Sequence, residues 1–106
     1  MRSVDLALYA DELAARAATL AAQLERARCR LRQEALEREA RRALDEGSIA
    51  RLETLEVIGR SEPRALRAEI RELGDSLAAV ETLQAWVEEQ LAAADGMSGL
   101  AGGRAG

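Results

Sequence analysis

The chain has 106 residues, net charge −4, fifteen Arg and no Lys, no His, no Phe, one Cys and one Pro. That length allows one domain with a modest core. Without imidazole there is no Ser-His-Asp or Cys-His catalysis and no histidine-ligated metal, and one cysteine builds neither a CxxC site nor an intrachain disulfide.

Further exclusions come from the order of the residues. Neither Gly-rich nucleotide fingerprint occurs. The longest uncharged stretches, 17–24 and 96–103, fall well short of the ~20 residues of a membrane span. The start carries Asp5, Asp11 and Glu12, where a signal peptide needs an apolar run. The expectation is a cytoplasmic protein, not an enzyme, with no catalytic residue, no cofactor and no metal. Twenty-three Ala and only two aromatic residues are the composition of long helices and coiled coils.

The first element is a helix over about 3–46. Ser3 offers a cap, Asp5 sits where the helix dipole favours an acid, and no Gly or Pro intervenes before Gly47, which reads as the stop. Leu6, Ala10, Leu13, Ala17, Leu20, Leu24, Ala27 and Leu31 step by four and three. A short amphipathic helix follows over about 48–58, carrying Ile49, Leu52, Leu55 and Ile58 and ended by Gly59. The last helix spans about 61–95. Its stripe of Leu66, Ile70, Leu73, Leu77, Val80, Gln84, Val87 and Leu91 is a heptad pattern with one polar member, and Gly74 is a place where it could break. Residues 96–106, with five Gly, read as a disordered tail. The fold class is all-α: residues 1–95 form a long antiparallel helical hairpin, coiled-coil-like, with a short connecting helix.

In an antiparallel hairpin, paired positions have a constant sum. Leu20 with Leu91, Leu24 with Val87 and Leu31 with Val80 share one, and that register sets the acidic stretch 72–95 opposite 16–39, which includes much of the basic stretch 25–42. It also leaves residues 3–15 overhanging, with Val4, Leu6, Leu8, Tyr9 and Leu13 uncovered. Apolar side chains of that size forgo about 1.5–3 kcal/mol each when left in water. A homodimer, or a helical protein partner, is the expected cover, and two hairpins would complete a four-helix bundle. Val4, Leu6, Tyr9 and Leu13, with Leu83 and Trp86 on a narrower strip of the last helix, are the candidate interaction residues. Trp86 suits an interface anchor or packing on the Ala-rich first helix.

The function expected from this pattern is that of a non-catalytic structural or interaction protein: assembly, adaptor or regulatory. The alternative is a DNA-binding regulator. Arg26, Arg28, Arg30, Arg32, Arg38, Arg41 and Arg42 would supply a phosphate-binding face, although Glu25, Glu34, Glu37 and Glu39 interleave with them. Residues 48–73 also resemble the helix-turn-helix of bacterial repressors, with a short helix, Gly59, and a Ser61-Glu62-Pro63 opening of a second helix. They depart from it at Leu55, where a small residue is usual, and at Arg60, where an apolar one is. Cys29 lies at an outward position between Arg26 and Arg32 and reads as an idle, reduced surface thiol.

Overall fold

The computed structural model describes the backbone of residues 3–59 and 62–105 and the side chains of residues 3–59 and 62–95. Three helices follow in order: α1 (Ser3–Ala43), α2 (Glu46–Thr54) and α3 (Pro63–Ala105). α1 packs against α3 as a helical hairpin, and the described residues contain no strand. α1 has Asp5 in its first turn and Arg41 and Arg42 in its last, both matching the helix dipole. α3 starts on Pro63, whose fixed φ and missing N–H suit a first helical position.

The boundaries differ from expectation in three places, each with a local cause. α1 stops at Ala43 rather than near residue 46, because Asp45 takes the extended backbone of an N-cap and opens α2. Its carboxylate accepts from the Ser48 backbone N–H at 2.9 Å and from the Ser48 hydroxyl at 2.8 Å. Those two bonds, the hydroxyl first, hold the Asp45 carboxyl below the usual carboxylate range. Gly47, read as a stop, lies inside α2.

α2 in turn ends at Thr54, not at Gly59. The N–H of Glu56 bonds to the carbonyl of Glu53 and that of Val57 to the carbonyl of Leu52, each at 3.0 Å. This paired pattern is the Schellman motif, and it puts Glu56 in the left-handed region, at φ 60°. The third difference is at the far end. The backbone of α3 is helical past Asp95 as far as Ala105, whereas 96–106 reads as a disordered tail in the sequence; the side chains of that stretch lie outside the described residues. Gly74 does not break α3.

The chain divides into two compact units, Met1–Ala21 with Asp75–Gly106, and Ala22–Gly74. In the first, Leu6, Leu13 and Val87 form the buried cluster, and Ala10, Val80, Leu83 and Leu91 pack around it. Val87 is fully buried at its centre. In the second, the buried side chains are Leu24, Ala27, Ile58 and Leu66. An ion pair of 2.8 Å joins Arg30 of α1 to Glu69 of α3.

This arrangement corrects the register. Val87 packs with Leu6, Ala10 and Leu13, not with Leu24, and Val80 lines a groove with Ala15 and Leu20, not with Leu31. The partner of Val87 is therefore displaced from Leu24 to the neighbourhood of Ala10, about two heptads toward the N-terminus. Positions 10, 17, 24 and 31 are heptad equivalents, so a shift by whole heptads presents the same stripe. The overhang of residues 3–15 does not exist. Leu6 and Leu13 are buried within the chain at 3% and 4% exposure, which recovers the burial energy that a dimer was invoked to supply. The expected pairing of 72–95 with the basic stretch fails with the register.

Candidate interaction surface

The proposed interaction residues separate cleanly by exposure. Leu6 and Leu13 belong to the intrachain core and Leu83 packs on it, so these three are spent on folding. Val4, Tyr9 and Trp86 stay open to solvent, at 68%, 39% and 46% exposure. Leu8, one turn beyond Val4 on the same flank of α1, is also exposed. Among the described residues of the first unit, these four are the exposed large hydrophobic side chains.

The second unit has its own exposed apolar set in Leu36, Leu44, Leu55 and Val57. Three of them border the ends of α2, a helix with no buried residue. Side chains of α1 hold the connection in place. Arg41 pairs with Glu53 at 2.5 Å and donates to the Gly59 carbonyl at 3.1 Å. Glu37, one turn earlier, accepts from the Gly59 N–H at 3.4 Å. Both polar groups of the Gly59 backbone are thus satisfied by one face of α1. Sequence reasoning missed Leu36, Leu44, Leu55 and Val57 as surface features; Leu55 lies on the apolar stripe of the short helix, which periodicity marks for burial.

The arginine face is largely occupied by carboxylates. Arg32 contacts Glu25 at 3.2 Å, Arg38 contacts Glu34 at 2.8 Å, and Arg30 and Arg41 hold the pairs already described. Arg26, Arg28 and Arg42 form no ion pair with a described residue. The Glu25 hydrogen bond, with the Cys29 sulfur close by, raises the Arg32 pKa still further. Cys29 itself is exposed, and Arg32 Nη2 donates to its Sγ at 3.0 Å. The helix-turn-helix resemblance fails on geometry. Eight residues, 55–62, separate α2 from α3, where that motif needs a turn of about three or four.

No described helix is long and apolar enough to cross a membrane. No known family, curated protein or solved structure matches the chain.

Proposed function

We propose that the chain is a non-catalytic interaction protein that works through helix–helix contacts in the cytoplasm, with a second copy of itself as its first partner. One observation carries this reading. Among the described residues, eight large hydrophobic side chains are exposed against seven hydrophobic residues buried. A chain that closes its core alone has no need of so many, and exposed apolar side chains on paired helices are what a further helix packs on. The absence of His from the sequence leaves no ordinary general base near neutral pH, which supports a role without catalysis. An exposed, unpaired Cys29 suits a reducing compartment.

Sedimentation velocity on the purified chain, from micromolar to hundreds of micromolar, tests the reading. Reversible association is the expected result. A chain that stays monomeric across that range removes self-association as its mode of action.

A further inference from the structure

The chain's only two aromatic residues, Tyr9 and Trp86, stand on one side of the first unit. That unit is an antiparallel pair of helix segments, since Val87 packs with Leu6 and Leu13 while Val80 lies by Leu20. With the core stripes taken as heptad positions a and d, Tyr9 and Arg16 hold position g in α1, and Leu83 and Gln90 hold it in α3. In an antiparallel pair the two g flanks adjoin. Trp86 lies one turn beyond Leu83, further out on the same flank. A groove lined by Glu12, Ala15, Arg16, Thr19, Leu20 and Val80 opens on this side. Leu20 and Val80 make its floor apolar, and an exposed aromatic ring stands on each wall. Val4 and Leu8 fall on the far side of α1 and take no part.

The rim of the groove is acidic. Asp5 and Glu12 edge it from α1 and Asp75 and Glu89 from α3, all four exposed. Arg16 is the one base among the described residues of the unit, and it is paired with Glu12 at 3.4 Å. Asp5, Asp75 and Glu89 form no ion pair with a described residue. Charge therefore selects among occupants. A second copy of this unit brings the same acids and is repelled, as are anionic lipid and nucleic acid. A helix whose apolar face is flanked by Arg or Lys satisfies both the floor and the rim. Exposed aromatic side chains are the usual anchors of such a contact.

We propose that this groove binds a basic amphipathic helix of another protein. Tyr9 and Trp86 close on its apolar face, and Asp5, Asp75 and Glu89 meet its cations. Binding here does not require self-association.

A synthetic peptide of Leu, Ala and Lys, about sixteen residues long to match the span from Asp5 to Leu20, is the probe. It carries Leu at heptad core spacing and no Trp, so Trp emission reports Trp86 alone. A companion peptide has Glu in place of every Lys. With the full chain at low salt, the Lys peptide is expected to bind, to shift Trp86 emission to the blue, and to lose affinity as salt rises. The Glu peptide is expected to leave the emission unchanged. Tyr9→Ala should weaken binding of the Lys peptide by about tenfold. Neutralising the rim, with Asp5→Asn, Asp75→Asn and Glu89→Gln together, should also weaken it and flatten its salt dependence. Neutralising the opposite flank of α3, with Glu81→Gln, Glu88→Gln and Asp95→Asn, removes the same charge and should do far less. All seven altered side chains are exposed, and circular dichroism checks that helix content is kept. Equal binding of the two peptides, equal losses from the two neutralised sets, or an unmoved Trp86 overturns the proposal. So does Trp86 emission that shifts to the blue with rising concentration of the chain alone, since a second copy then fills the groove.

Discussion

Glu56 is the residue whose conformation its own chemistry explains least. A side chain with a Cβ in the left-handed region costs roughly 1–2 kcal/mol relative to the right-handed one, and glycine is the usual occupant of this position after a helix. The Schellman bonds from Glu56 and Val57 back to Glu53 and Leu52 hold it there. Glu56→Gly is expected to stabilise the fold by about 0.5–1 kcal/mol, since relief of the strain outweighs the extra freedom that glycine gains in the unfolded chain. Chemical denaturation measures this directly; an unchanged or lower midpoint would show that Glu56 has a compensating contact. Asp45 is the opposite case, a residue matched to its place. Its lowered pKa means that the cap contributes fully above the carboxyl's unfolded value and is lost as pH falls through the folded one.

At the scale of elements, what was legible in the sequence and what was not have separate physical causes. Three helices and their order follow from long Gly-free, Pro-free runs and from apolar steps of three and four. The ends of α2 do not, because Gly47 and Gly59 are conspicuous while the residues that act are Asp45 and Glu56. Register is the larger miss. Leu20, Leu24 and Leu31 match Leu91, Val87 and Val80 well, yet Leu6, Ala10 and Leu13 match the same stripe nearly as well two heptads away, and periodicity cannot choose between them. Leu6 and Leu13 read as surface residues only in the register that uncovers them, whereas Val4, Tyr9 and Trp86 remain exposed in the structure. A cysteine pair distinguishes the two registers. In a Cys29→Ser background, Ala10→Cys with Val87→Cys should form an intrachain disulfide on mild oxidation, and Leu24→Cys with Val87→Cys should not. Gel mobility under non-reducing conditions reads the outcome, and the reverse result would restore the longer overhang.

Across the whole molecule, charge is divided unevenly. The unit made of 1–21 and 75–106 holds eight acids and three arginines, while 22–74 holds twelve arginines and eleven acids. An excess of acid in the first unit disfavours contact between two copies of that unit, and rising salt relieves the repulsion. Among the described residues the buried set is small, with seven hydrophobic residues, one of them Ala27, so the isolated chain is expected at the low end of the ~5–15 kcal/mol typical of folded domains. Association should then contribute visibly to stability, and the thermal midpoint should rise with protein concentration. Melts followed by circular dichroism at micromolar and at hundreds of micromolar protein test this; coincident curves would mean that the hairpin folds without help from a second copy.

The grip of Arg41 and Glu37 on Gly59 bears on which changes of length the chain can absorb. Side-chain stripes that recur every seven residues let two helices engage at several offsets, like racks with evenly spaced teeth. The connection, anchored to α1 at a fixed point, selects the tooth. A whole heptad added to each arm preserves both the meshing and the anchorage, whereas one or two residues added to a single arm rotate its apolar side chains out of the seam. Tolerated insertions in this hairpin therefore come in matched sevens.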